Sequence, residues 1–136
     1  GPGKSVMQQD EILASVILSA PAPNSGSAFM KKTRVKPDIS KISAAVLLER
    51  NGDKVAKCTI ALGSVAATPL CVCDIAEKLV DEKASMEVFH AVGKKIAETI
   101  QPIDDNRSSA KYRKSVAEVL IADVLTLAWQ RAGGAI

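Results

Sequence analysis

The sequence predicts an α+β fold: a small antiparallel β-sheet of three to four strands followed by a three-helix bundle. Three observations carry this reading. The tight-turn pair Asn51-Gly52 joins two branched apolar runs, the apolar period changes from two to about three and a half after Asp74, and a long helical pattern follows Ser108-Ser109. At 136 residues the chain has room for one core. That core is built from Val, Ile, Leu and Ala, because 47% of the residues are hydrophobic and only 3% are aromatic.

Taken in order, Gly1-Pro2-Gly3 reads as a tag-cleavage scar and residues 1–9 as tag remnant and linker, ahead of one domain over residues 10–136. On that reading the chain is a piece of a longer protein. Residues 12–18 are short, branched and stopped by Pro21 and Pro23, which predicts a strand. Asn24-Ser25-Gly26-Ser27 predicts a polar turn, and residues 28–36 an extended segment, because Lys36 precedes Pro37 and is pushed from helical angles. Residues 39–50 and 54–62 predict the two arms of a hairpin. Its turn is Asn51-Gly52-Asp53, with Asn-Gly taking the positive φ that a tight turn demands, and Gly63 ends the second arm.

Three helices should follow. Asp74 with Glu77 suggests a capped first helix with Ile75, Leu79 and Val80 inward. Ser85 starts a second helix, with Met86, Phe89, Ile96 and Ile100 on one face, and Pro102 ends it. The third runs from Ser108 or Ser109 to about Arg131, with Gly133 beyond its end; at 1.5 Å per residue it is roughly 34 Å long. Being apolar over most of its circumference between Val119 and Trp129, it should be covered on more than one side.

Charge and motifs exclude more than they assign. The net charge of +3 is mild. The run Lys31-Lys32-Thr33-Arg34-Val35-Lys36 has Phe29 as its only aromatic neighbour, so it reads as a solvated face and predicts no nucleic-acid partner. The apolar stretch 116–129 is broken by Glu118 and Asp123 and falls short of the roughly 20 residues of a membrane span. With no signal peptide and no disulfide-rich pattern, the chain reads as cytoplasmic.

Cys71-Val72-Cys73 with Cys58 upstream lacks the paired spacing of a metal site, and the three are expected to pack as small, buried or half-buried side chains. His90, the only histidine, has no partner suited to a general base and reads as a surface residue; a hydrolase pairing with Cys71 or Cys73 is disfavoured. Asp104 and Asp105 precede a helix start and complement its dipole, with Arg107 and Arg113 as partners. Asp123 either faces water or pairs with Lys94, Lys95 or Arg131. Gly63-Ser64 and Gly133-Gly134 lack the spacing of a phosphate loop. The expectation is no catalytic residue, no metal and no dinucleotide site in the chain itself.

Three segments resemble the C-terminal domain of the FAD-binding subunits of molybdenum hydroxylases, such as xanthine and carbon monoxide dehydrogenases. Residues 29–39, Phe-Met-Lys-Lys-Thr-Arg-Val-Lys-Pro-Asp-Ile, are similar to that family's aromatic-x-Lys-x-x-Arg-x-x-x-Asp pattern. Residues 61–70, Ala-Leu-Gly-Ser-Val-Ala-Ala-Thr-Pro-Leu, resemble its Ala-Leu-Gly-Gly-Val-Ala-Pro-Thr-Pro-Leu-Arg. Residues 102–113, with Pro102, Asp104, Asp105, Arg107, Tyr112 and Arg113, are the third. Asp10-Glu11-Ile12-Leu13 is similar to the junction leaving the FAD domain, so the likeness covers about residues 10–130. The departures are Ser64 for a Gly, Ala67 for a Pro, Cys71 for an Arg, and Asp123 where a basic residue is frequent.

The resemblance implies a function. In such enzymes substrate is hydroxylated at a molybdenum centre, and electrons pass through iron–sulfur clusters to FAD and on to an acceptor. FAD's nucleotide end is held by Gly-rich loops of an N-terminal domain that this sequence does not include, so FAD belongs to the full subunit and is not expected bound to this chain. The C-terminal domain packs on the FAD domain, in an assembly with molybdopterin and iron–sulfur subunits, and helps close the isoalloxazine end. By that likeness Phe29, Lys31, Arg34, Asp38, Ile39 and Lys57 are the candidates for the flavin-facing edge, a cation and a shielding side chain being what a flavin ring calls for. The competing reading is that Arg34 and Asp38 merely pair across a turn. A non-enzymatic assembly module on the same fold is the alternative function.

Overall fold

The computed structural model describes residues 3–136, and the expectation for Gly1 and Pro2 lies outside the described residues. Strands β1 (Ser25–Lys32), β2 (Ile42–Asn51), β3 (Lys54–Gly63) and β4 (Leu70–Cys71) form one antiparallel sheet in the order β1-β2-β3-β4. Helix α1 (Cys73–Ala76) continues into a single 3₁₀ turn (Glu77–Leu79), followed by the long helices α2 (Met86–Thr99) and α3 (Ala110–Arg131).

The central hairpin forms as the sequence predicts, with its turn shifted by one residue. Asn51 pairs with Lys54, so Gly52 and Asp53 are the two central residues. Only Gly52 has positive φ, the pattern of a turn with glycine at its first central position. A bulge at Ala56 breaks the alternation: Glu49 lies opposite Lys57 while Arg50 lies opposite Val55. Val55 and Cys58, three positions apart, therefore both point into the core.

Two strand expectations are corrected. Residues 12–18 form no strand; Ile12, Val16, Ile17 and Leu18 are exposed, because no sheet edge reaches them. The first strand instead begins at Ser25, inside the segment expected to be a turn. Gly26 explains this, since a Cβ there would overlap the carbonyl oxygen of Ala128. The missing side chain lets the end of α3 lie directly on β1, where Arg131 Nη1 donates to the Ser27 carbonyl at 2.7 Å.

The three-helix bundle is also corrected. The first expected helix is one turn, uncapped by any side chain, with Val72 rather than Asp74 at its N-cap. Leu79 is buried but Val80 is exposed. Asp81 takes positive φ and Lys83 bridges back to Lys54, which pulls the chain to the sheet before a second turn of helix is complete. Helices α2 and α3 pack as a pair, and α3 lies across the inner face of β1 and β2. The result is two layers, sheet and helix pair, with the core between them.

The long helices start where expected. Ser85 Oγ accepts the Val88 N–H at 3.3 Å, and Ser109 Oγ accepts the Tyr112 N–H at 3.2 Å. Phe89, Ile96 and Ile100 are buried as predicted, whereas Met86 is exposed at the first turn. Covered by both α2 and the sheet, α3 buries Leu120, Ile121, Val124, Leu125, Ala128 and Trp129. Asp123 faces water.

Candidate functional site

With the helices on one face, the opposite face of the sheet is left open. Strand register builds it in rows: Ser25, Glu49 and Lys57; Ser27, Leu47 and Thr59; Phe29, Ala45, Ala61 and Cys71; Lys31, Ser43 and Gly63. Period-two alternation puts these residues outward while Ala28, Ala44, Val46, Ile60 and Leu62 point to the core. Small side chains at Ala45 and Ala61 leave a trough beside Phe29, which is 60% exposed. The groove has a volume of about 930 Å³, and Leu18, Phe29, Ala45, Leu47, Lys57 and Ala61 are among its walls.

The six sequence candidates fall in three places. Phe29, Lys31 and Lys57 share this outer face; Lys57 Nζ lies 3.7 Å from Glu49. Phe29 and Lys57 are two rows apart, on the order of 13 Å along the strands. Arg34 and Asp38 sit in the β1–β2 loop and pair with each other at 3.2 Å. Lys31 Nζ donates to the Asp38 carbonyl at 3.1 Å, tying the strand end to that loop. The Arg34 guanidinium and the Ile39 N–H hold the Asp38 carboxyl below the usual carboxylate range. Ile39 lies on a separate cavity of about 320 Å³, shared with Ser64, Gln101, Ile103, Arg107 and Arg113.

That second cavity is walled by a buried cation. Arg113, on the first turn of α3, is 4% exposed. Its Nη1 donates to the Ser64 carbonyl at 2.7 Å, and its Nη2 lies 2.7 Å from Asp105 Oδ1, an ionic contact rather than an aligned hydrogen bond. Asp105 also accepts the N–H groups of Arg107 and Ser108, both at 2.9 Å, and Asp104 accepts that of Ala110. The Ser108 N–H and then Arg113 hold Asp105 below its ordinary pKa. This cluster fastens the start of α3 to the β3–β4 connection. Ser64, standing where the resemblance carries a glycine, has φ +64°, the left-handed region that favours glycine.

The cysteines are partly a correction. Cys58 is buried, and burial pushes its thiol up to about 12. Cys71 and Cys73, expected to pack as small apolar residues, are both exposed. Their position on a two-residue edge strand and a helix start, with only Val72 between them turned inward, keeps both sulfurs at the surface. His90 is exposed, as expected of a surface histidine.

The outer-face residues Ala45, Leu47 and Ala61 and the groove-lining segment 18–22 were not among the sequence candidates. Outward positions of β2 and β3 follow from alternation once the hairpin register is known, so the signal for the first three was present. The segment 18–22 gave none.

Residues 27–128 match the CO dehydrogenase flavoprotein C-terminal domain. The chain belongs to that family. The carbon monoxide dehydrogenase medium chain of Hydrogenophaga pseudoflava is 25% identical over 131 residues, which cover 96% of this chain and 46% of that protein. That of Afipia carboxidovorans is 28% identical over 131 residues, covering 94% and 44%. The chain thus spans less than half the length of these relatives. Among solved structures, the Hydrogenophaga pseudoflava carbon monoxide dehydrogenase lacking the Mo-pyranopterin moiety superposes with a TM-score of 0.78 at 28% identity, over 82% of this chain and 39% of that one. Quinoline 2-oxidoreductase from Pseudomonas putida 86 superposes at 0.76 with 24% identity, over 81% and 39%, a likeness of fold. In this chain the fold organises two features, the buried Arg113–Asp105 cluster and the open sheet face.

Proposed function

We propose that residues 10–136 are the C-terminal domain of the FAD-binding subunit of a cytoplasmic molybdenum hydroxylase. In this reading the domain packs on the subunit's N-terminal FAD domain and helps close the flavin site. The full subunit works with molybdopterin and iron–sulfur subunits, electrons reach FAD from the clusters, and the isolated domain performs no chemistry. The observation that carries the reading is the open sheet face: a groove of about 930 Å³ with an exposed Phe29, a floor of Ala45 and Ala61, and a rim at Leu18. The exposed apolar side chains of Ile12, Leu13, Val16 and Ile17 lead up to that rim, and apolar surface of this kind marks a contact in a larger assembly.

The residues present fit one end of FAD. A flat apolar strip with a cation at its edge suits an aromatic ring system, and the described residues offer no phosphate cradle for the nucleotide end. When bound, FAD supplies the redox chemistry by accepting and passing on electrons. The chain's own residues bind and shield: Phe29 covers, Ala45 and Ala61 allow close approach, Lys31 supplies positive charge, Lys57 stands at the edge paired with Glu49, and Leu18 excludes water. Arg34 and Asp38 neutralise one another and brace the β1–β2 loop, to which Lys31 is tied from the end of β1 and in which Ile39 follows Asp38.

The test is co-production with the FAD domain of the Hydrogenophaga pseudoflava medium chain. A yellow complex that keeps its flavin through gel filtration supports the reading. A colourless complex would favour the assembly-module alternative.

A further inference from the structure

Cys71 closes β4 and Cys73 opens α1, and both side chains are exposed. Their Sγ atoms lie 2.7 Å apart, in direct contact but unbonded, a covalent S–S bond being roughly 2.05 Å. Val72 between them points into the core and its N–H donates to the Ile60 carbonyl at 3.0 Å, so the peptide carrying both thiols is anchored to the sheet. No third His, Cys, Asp or Glu among the described residues joins them as a metal ligand set. The third cysteine, Cys58, is buried and provides an internal contrast.

We propose that Cys71 and Cys73 form a two-thiol exchange site that closes to an intramolecular disulfide on reaction with low-molecular-weight disulfides. The steps balance. The Cys71 sulfur, having lost its proton, attacks one sulfur of the small disulfide, forming a mixed disulfide and expelling one small thiolate, which takes that proton. The Cys73 sulfur then attacks the Cys71 sulfur, breaking the mixed disulfide and expelling the second small thiolate, which takes the Cys73 proton. The dithiol is oxidised by two electrons and the small disulfide is reduced to two thiols. The hydrogen bond to Cys71 raises the Cys73 pKa, in keeping with Cys73 holding its proton until the second step. Cys71 stands in the same cross-strand row as Phe29, Ala45 and Ala61, so closure alters the edge of the open sheet face.

The experiment treats the 136-residue chain with oxidised glutathione near neutral pH, followed by intact mass, thiol titration and chymotryptic mapping. The expected product is monomeric and lighter by two hydrogens, and its titre falls from three free thiols to one, with the link between Cys71 and Cys73 and with Cys58 free. Cys71→Ser and Cys73→Ser should each retain a glutathione adduct in place of the internal link. Three persisting free thiols, a disulfide-linked dimer, or stable adducts on the unmodified pair would overturn the proposal.

Discussion

Arg113 Nη2 lies 2.7 Å from Asp105 Oδ1 while the same guanidinium donates through Nη1 to the Ser64 carbonyl. One buried cation thereby joins the loop before α3, the helix itself and the β3–β4 connection. Arg113→Met should leave the carbonyl and the carboxylate without their partner and lower stability by about 2–4 kcal/mol, read by urea unfolding. Arg113→Lys should recover only part of this, because an ammonium cannot span two acceptors with a planar fork. Equal stability of Arg113→Met and the parent chain would show that the cluster is ornamental.

Acid should act through the same carboxylate. Asp105 and Asp38 both have folded pKa values lowered from 3.8, by the Ser108 N–H and Arg113 for the first and by Arg34 and the Ile39 N–H for the second. A lowered carboxylate contributes stability that is present above its unfolded pKa and lost as pH falls through the folded one. Stability should therefore hold down to about pH 4 and fall below it. The Asp105→Asn variant should show a shallower acid limb in urea midpoints measured from pH 7 to pH 2.5; an unchanged limb would contradict this assignment.

Gly93 sets the approach of the two long helices. A Cβ there would overlap the backbone carbonyl of Glu118. Helix propensity alone favours Gly93→Ala by about 1 kcal/mol. The packing predicts the opposite sign, a loss of about 1–3 kcal/mol in the unfolding free energy.

Ser64 supplies a cleaner backbone test. Its φ is +64°, and its hydroxyl donates to the Ser40 carbonyl at 3.1 Å. Ser64→Gly and Ser64→Ala both lose that hydroxyl, but only glycine relieves the left-handed backbone. The glycine variant should be the more stable of the two by about 1 kcal/mol in thermal or urea unfolding. An alanine variant equal to it would contradict the strain.

How much of this was legible follows from what each segment competes with. The hairpin, the Ser85 and Ser109 helix starts and the end of α3 rest on local turn and cap chemistry, and the sequence displays it. Residues 12–18 carry a strand's composition but have no neighbouring strand, and composition says nothing of that. The first strand's start at Ser25 depended on Gly26 meeting α3 about a hundred residues later, a long-range contact with no local signature. The bundle expectation failed because α1 stops after one turn and α3 finds the sheet, a choice made by packing. The resemblance offered Phe29, Lys31 and Lys57 one by one; that they share one sheet face, and that Phe29 and Lys57 line one groove, needed the strand register.

The most direct test of the central claim is flavin retention by the complex of this chain with the Hydrogenophaga pseudoflava FAD domain, compared between the parent sequence and Phe29→Asp. Because Phe29 is 60% exposed, the substitution should leave the domain folded by circular dichroism. The parent complex should be flavin-loaded, and the variant should lose at least tenfold in flavin affinity, about 1.4 kcal/mol. Equal flavin binding by parent and variant complexes would contradict the claim that the open sheet face closes the flavin site.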